Sequence, residues 1–236
     1  MPNDLNPRSS ISVFFPCFNE AANVERVITD ALAHLPAITD DFEILVIDDG
    51  STDGTSQVVE AMVLSNERVR LLPHTENLGY GMALRTGFQA AQKDLVFYAD
   101  GDGQFSLSDL SSLVEALPGH GFVLGYRRNR ADPLYRRLNG WLWTGLVRVV
   151  LGVKVRDVDC GFKLFRREAI DVEQLISGRG AAISAELISR AHRSGYRFAQ
   201  VGVTHYPRKS GEQSGNSPKV ILRSFVDIIR LWRGFQ

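Results

Sequence analysis

Residues 11–47 read ISVFFPCFNEAANVERVITDALAHLPAITDDFEILVI, and their pattern decides the fold. Ile11 to Phe15 is a short apolar run of strand type, which Pro16 to Glu20 interrupts. Val24, Val27, Ile28, Ala31, Leu32 and Leu35 then recur at the i, i+3, i+4, i+7 spacing of a helix with one apolar face. Phe42 to Ile47 is a second apolar run. Strand, helix and strand in this order make a βαβ unit, whose helix crosses one face of a parallel pair.

The alternation continues outward from this unit. Val69 to Leu72, Leu95 to Ala99 and Phe122 to Leu124 are further strand candidates, and Leu110, Leu113, Val114 and Leu117 repeat the helical spacing. The pattern predicts an α/β fold: a Rossmann-like, mostly parallel sheet flanked by helices. Beyond about Arg130 it changes to a basic, Trp-bearing helix, a strand at Cys160-Gly161-Phe162, and helices around Arg167 to Ile176 and Ile183 to Ser194. This later part reads as a lid or acceptor region. The expected division is a loose tail at 1–9, one domain at 10–215 with halves at 10–130 and 131–215, and an amphipathic helix at 216–236.

A chain of 236 residues is long enough for one such domain with a full core. Its 27 basic and 27 acidic residues cancel, so no global field draws it to nucleic acid. Cys17 and Cys160 are too few and too isolated for a disulfide framework or a zinc site, which fits a reducing cytoplasm. Met1 to Ser9 has no apolar core and does not read as a signal peptide. The most apolar stretch, Trp141 to Leu151, is about half the ~20 residues a spanning helix needs, and Arg148 interrupts it.

In a parallel α/β sheet, ligands collect beyond the carboxyl ends of the strands. Four unusual loops belong there: Pro16 to Glu20, Asp48 to Thr55, Asn77 to Gly81 and Asp100 to Gln104. Asp100, Asp102 and Gln104 offer oxygens at alternating positions, and glycines at 101 and 103 allow close backbone approach. Mg²⁺ or Mn²⁺ takes such oxygens together with substrate phosphates; a solvated acidic turn is the plainer alternative. Thr52 or Asp53 is expected to cap the following helix, and Asp49 to accept from a base or ribose. A base could pack on Phe18 while Glu20 accepts from ribose, or Asn19 and Glu20 could simply begin a helix. Asn77-Leu78-Gly79-Tyr80-Gly81 is a weaker, Gly-rich helix start. Arg127, Arg128, Arg208 and Lys209 could pair with a diphosphate, or be ordinary surface cations.

Taken as an ordered set, Phe15-Pro16-Cys17-Phe18-Asn19-Glu20, Asp48 to Thr55, Asp100 to Gln104 and Asp157 to Phe165 resemble the motifs of the inverting family-two glycosyltransferases of the GT-A fold. The dolichyl-phosphate mannose synthase-like branch, which glycosylates polyprenyl phosphates, is the most similar. The resemblance implies a nucleotide-sugar donor of the GDP-mannose or UDP-hexose type. Pro16, Phe18, Glu20, Ile47 and Asp49 would hold its nucleoside, and Asp100 and Gly101 would also touch the donor. Asp100, Asp102 and Gln104 would hold Mg²⁺ or Mn²⁺, with Asp102 central to catalysis, and Arg127 and Arg208 would face the diphosphate. Where the branch often has a Ser-Lys pair after the late arginine, this chain has Glu212-Gln213-Ser214-Gly215. The transmembrane helices that continue many relatives are not legible here.

The resemblance also implies direct displacement at the anomeric carbon. A lipid phosphate acceptor is already ionised, because its second pKa is ~6, and needs no strong base. A saccharide or other hydroxyl acceptor would need one, for which Asp157 or Asp159 is the candidate; a polar turn before the next strand is the equal alternative. Arg136, Arg137, Trp141, Trp143, Leu146, Val147, Arg148 and Val150 read as an interfacial helix or a core helix, and Val220 to Trp232 repeats the composition. Two such segments favour peripheral attachment at the cytoplasmic face of a membrane, where a membrane-protein partner could join it. A non-catalytic nucleotide-sugar-binding protein is a rival reading. A nucleotidyltransferase ranks lower, because the loop after the first strand is neither Gly-rich nor basic.

Overall fold

The computed structural model describes residues 9–128, 134–175, 180, 182–208, 210 and 218–234. The expected tail at 1–8, Arg130, Ile176, Lys209 and Glu212 to Gly215 lie outside the described residues, as do the side chains of Arg136, Val220 and Arg223. Seven strands, β1 (Ile11–Cys17), β2 (Phe42–Asp48), β3 (Val69–Pro73), β4 (Leu95–Ala99), β5 (Phe122–Arg127), β6 (Phe162–Arg166) and β7 (Phe198–Val203), form one sheet in the order β3-β2-β1-β4-β6-β5-β7. β6 is antiparallel to both neighbours, and the other pairs are parallel, so every strand but β6 points the same way. Strands from 10–130 and 131–215 therefore interleave in one sheet.

The helices are α1 (Ala21–His34), α2 (Thr55–Ser65), α3 (Tyr80–Ala90), α4 (Leu110–Glu115), α5 (Leu134–Leu151), α6 (Ala182–Arg193) and α7 (Pro218–Gly234). Every residue of β1, β2 and β4 is buried, which is why these strands read as unbroken apolar runs. Their side chains alternate between two cores, as strand pleating requires. Val13, Phe15, Ile44, Val46 and Phe97 pack under α1, α2 and α4, while Phe14, Leu45, Ile47, Val96 and Tyr98 pack under α3, α5, α6 and α7. Pro16 is tolerated in this central strand because β1–β4 pairing ends at Phe14–Tyr98.

Three expectations are corrected. The helix around Arg167 to Ile176 is only a 3₁₀ turn at Arg167–Ala169. β7 was not expected; its FAQVGV sequence is half-buried and carries Gly202, so neither alternation nor a continuous apolar run marks it. The cap of α2 is neither Thr52 nor Asp53 but Gly54, at φ +93, a conformation that glycine adopts without strain.

Candidate active site

Because β1, β2, β4, β5 and β7 run in one direction, their carboxyl ends share one edge with the start of β6. The loops there are laced together. Asn19 adopts φ +57, donates its N–H to Ser51 Oγ at 2.8 Å, and accepts from Thr52 N–H through Oδ1 at 2.9 Å. The Glu20 N–H donates to Thr55 Oγ1 at 2.9 Å. Asp53 accepts from the N–H groups of Ala21 and Thr55, both at 3.0 Å. Burial would raise its pKa, but bonds from Thr55 and Ala21 outweigh it and hold the carboxyl below its usual value. Asp53 is thus a clasp between the first two loops.

The expected nucleoside residues divide. Phe18 leaves 38% of its surface exposed, so its ring can take a stacked base. Pro16 is buried, and its carbonyl accepts from Gly101 N–H at 3.3 Å. Ile47 has no exposed surface and its side chain lies in the core, so what it offers at this edge is its backbone. Asp49 is engaged by the next loop: Oδ1 accepts from Leu78 N–H at 2.9 Å and lies 2.7 Å from His74 Nδ1, and Oδ2 accepts from Gly79 N–H at 2.8 Å. Glu20 is 7% exposed and accepts from Asn23 Nδ2 at 2.7 Å and Arg208 Nη2 at 2.6 Å. Burial nevertheless leaves its pKa raised.

The acidic loop follows β4. Asp100 donates its N–H to the Gly161 carbonyl at 3.0 Å, and its Oδ1 accepts from the Tyr80 hydroxyl at 2.9 Å. Burial, and then the charge of Asp102, push its carboxyl up to about 7. Asp102 is raised too, chiefly by burial, although the Gln104 N–H and Arg208 oppose the shift. Two carboxyls held above their usual pKa by desolvation are groups whose charged forms a cation would favour. Among the described residues no three His, Cys, Asp or Glu side chains converge. A set of two carboxylates suits Mg²⁺ or Mn²⁺, whose other places fall to substrate phosphates and water. Gln104 is 6% exposed and donates Nε2 to the Tyr206 carbonyl at 2.8 Å, so its amide also ties this loop to the segment after β7.

No side chain fits at Gly101, where a Cβ would lie 2.3 Å from Cys17 Sγ, or at Gly161, where it would lie 2.1 Å from Asp100 Oδ2. On β6, Lys163 is fully buried; its ammonium donates to Tyr98 Oη at 3.0 Å and to the Cys160 carbonyl. Its charge and that of Arg127 both oppose the rise in the Asp100 pKa. Arg127 holds Asp157 through Nε–Oδ2 at 2.7 Å and Nη2–Oδ1 at 2.8 Å. Asp159 lies within electrostatic reach of Tyr80 and Arg127.

The segment after β7 closes the site from the far side. Phe105 and His205 form an antiparallel bridge, and Tyr206 N–H donates to the Gln104 carbonyl at 2.7 Å. Arg208 then reaches Glu20, and lies 3.4 Å from Asp102 Oδ2 through Nη1. Tyr80, Lys163 and Arg26, whose Nη2 donates to the Gly103 carbonyl at 3.1 Å, were not singled out from sequence. Tyr80 and Lys163 stood inside quoted motifs, but nothing in a one-dimensional pattern says what they touch.

The Glycosyl transferase family 2 pattern matches residues 12–172. Glycosyltransferase AglD from Haloferax volcanii is 32% identical over 233 residues, covering 94% of this chain and 37% of its own length. Undecaprenyl-phosphate mannosyltransferase from Micrococcus luteus is 26% identical, covering 93% of each chain. The chain spans 37–62% of the length of three of the relatives it matches. Glucosyl-3-phosphoglycerate synthase from Mycobacterium tuberculosis, solved with Mn²⁺, UDP and glucosyl-3-phosphoglycerate, superimposes with a TM-score of 0.68 at 23% identity, over 96% of this chain and 80% of that one. The sheet, its flanking helices and these neighbours make the fold GT-A. The chain belongs to glycosyl transferase family 2.

Proposed function

We propose that this chain moves a sugar from a nucleotide sugar, of the GDP-mannose or UDP-hexose type, to a polyprenyl phosphate with inversion at the anomeric carbon. The observation that carries the reading is the half-buried Asp100–Asp102 pair at the strand edge, with Arg208 3.4 Å from Asp102. Asp100 and Asp102, with Gln104 behind them, would hold Mg²⁺ or Mn²⁺. Bound there, the cation supplies Lewis-acid neutralisation of the departing diphosphate. Phe18 offers its exposed ring to the base. Arg208 exchanges its present carboxylate partners for diphosphate oxygens, a swap between two charge-assisted pairings.

The names of relatives, undecaprenyl-phosphate mannosyltransferase among them, support the acceptor class. So does Asp157, whose two oxygens are both engaged by Arg127; a carboxylate so held is a poor proton acceptor, and an ionised phosphate acceptor needs none. Asp159 remains the candidate base should the acceptor be a hydroxyl.

Peripheral membrane attachment is part of the same proposal. Leu134, Leu138, Trp141, Leu142 and Val149 are exposed on α5 at a spacing that shares one face, opposite the buried Val147 and Leu151. On α7, Val226, Ile229 and Trp232 are exposed while Ile228 and Leu231 are buried. Arg137, Arg148, Arg230 and Arg233 are exposed on these helices, α5 has no acid, and Asp227 on α7 is buried. Apolar and cationic outward faces fit an anionic bilayer surface. No helix among the described residues is long and apolar enough to cross a membrane.

One assay tests the reading. The protein is incubated with a panel of GDP- and UDP-sugars, Mn²⁺ and polyprenyl phosphate, and the lipids are analysed by mass spectrometry. A glycosylated lipid phosphate is expected; transfer only to a hydroxyl acceptor would replace the lipid reading, and no turnover of any donor would revive a non-catalytic one.

A further inference from the structure

A side chain joins the loop after β3 to the acidic loop. Tyr80, the first residue of α3, donates its hydroxyl to Asp100 Oδ1 at 2.9 Å across twenty residues of sequence. A phenol keeps its proton at neutral pH and donates it to the carboxylate. That bond has a consequence for the carboxylate. With Oδ1 occupied, Oδ2 is the oxygen left for another ligand, and among the described residues it has no hydrogen-bond donor.

Tyr80 is itself aimed from behind. Gly79 has φ +94 and ψ 159, a backbone region open essentially to glycine alone. Asp49 holds that turn by accepting from the N–H groups of Leu78 and Gly79, and His74, between Asp49 and Thr86 with Nε2 2.9 Å from Thr86 Oγ1, fixes Asp49. A chain of partners thus runs from Thr86 through His74 and Asp49 to the backbone on which Tyr80 begins, and on to Asp100. A tyrosine needed only for packing requires none of this. Phenylalanine would fill nearly the same volume, but only the hydroxyl gives the carboxylate a hydrogen-bond donor.

We infer that Tyr80 is a positioning residue for the metal-binding carboxylate: its hydroxyl fixes the rotation of Asp100 so that Oδ2 presents to the cation. The inference rests on the metal reading proposed above, and the test separates the two. Outer partners that orient a metal ligand typically contribute 10–100-fold in metal affinity. Mn²⁺ binding to the wild-type chain and to Tyr80→Phe is followed by electron paramagnetic resonance, with the nucleoside diphosphate of the working donor present and absent. Melting curves without metal report on the fold.

The expected result is a Mn²⁺ dissociation constant raised roughly tenfold in Tyr80→Phe, with the metal-free melting temperature little changed. A second variant, Thr86→Val, cuts the chain at its far end and should weaken Mn²⁺ binding less than Tyr80→Phe. Equal Mn²⁺ affinity in wild type and Tyr80→Phe would overturn the positioning role and leave the metal reading intact. Failure of the wild-type chain to bind Mn²⁺, with and without nucleotide, would overturn both.

Discussion

Arg127 grips Asp157 with two parallel bonds, Nε to Oδ2 at 2.7 Å and Nη2 to Oδ1 at 2.8 Å, and neither side chain is more than one-seventh exposed. Burial opposes the guanidinium charge, yet Asp157 more than compensates and holds the arginine's pKa above its usual value. The pair is a fixed fork that keeps a cation at the end of β5.

Asp157→Asn tests what that fork does. An amide can keep one of the two bonds but cannot accept a proton, so a general base would be lost altogether. We expect kcat to fall by roughly 10-fold through a loosened Arg127, with the shape of the pH–rate profile unchanged. Loss of the acidic limb of that profile, the rise in rate as a base gives up its proton, would make Asp157 the base.

Removal of Asp102 should be far more severe. Asp102→Ala deletes one of the two carboxylates offered to the cation and a partner of Arg208, and should cost about 10³-fold or more in transfer. The metal assignment fails if this variant keeps full activity at saturating Mn²⁺.

Asp100 gives a stability prediction with a definite sign. Its carboxyl is raised to about 7 when folded, against about 3.9 in an unfolded chain. Below about pH 4 it is protonated in both states and costs nothing. As the pH rises toward 7 the unfolded chain sheds this proton first, so metal-free stability falls, and the loss is complete above 7. Asp100→Asn mimics the protonated form. In chelator its melting temperature should exceed wild type by a few degrees at about pH 8 and match it near pH 4, while transfer is abolished. A wild-type advantage at pH 8 would contradict the raised pKa.

The glycine before β6 is equally constrained. In Gly161→Ala the new Cβ would fall 2.1 Å from Asp100 Oδ2, so loop or carboxylate must shift. Overpacking of this kind costs about 1–3 kcal/mol, and we expect a lower melting temperature together with weakened Mn²⁺ binding. Wild-type values for both would mean the loop yields freely.

For the outward faces of α5 and α7, the measurement is co-sedimentation with vesicles. The chain should bind vesicles rich in anionic lipid, less so as salt rises, and Trp141→Glu with Leu142→Glu should release it without unfolding. Equal sedimentation of this double variant and wild type would remove these side chains from the interface.

Much of the fold was legible because parallel strands buried on both faces leave unbroken apolar runs, as in Phe42 to Ile47, and α1 repeats at helical spacing. The place of Asp100 and Asp102 at the strand edge was legible because they directly follow the apolar run Leu95 to Ala99. β7 was not, since Phe198 to Gln200 are only half-buried and depend on β5 for their partner. Which face of the pleat Ile47 takes was not legible, because nearness in sequence to Asp49 does not tell it. The Arg127–Asp157 pair and the Tyr80–Asp100 bond were invisible for another reason: each joins loops brought together only by strand order, thirty and twenty residues apart.

The lone reversed strand has one more consequence. Because β6 runs against β5, the chain from Arg128 to Cys160 departs from the sheet and rejoins it at the same edge. That stretch is an excursion with both ends anchored; Val147, Leu151, Val153, Val155 and Val158 tie it to the core, and its outward side chains are the part that can change without shifting the register of any strand. A lineage could retool what it recognises there by exchange while leaving the Asp100 loop untouched, and a chimera made at those two anchor points is the natural way to transplant such a preference.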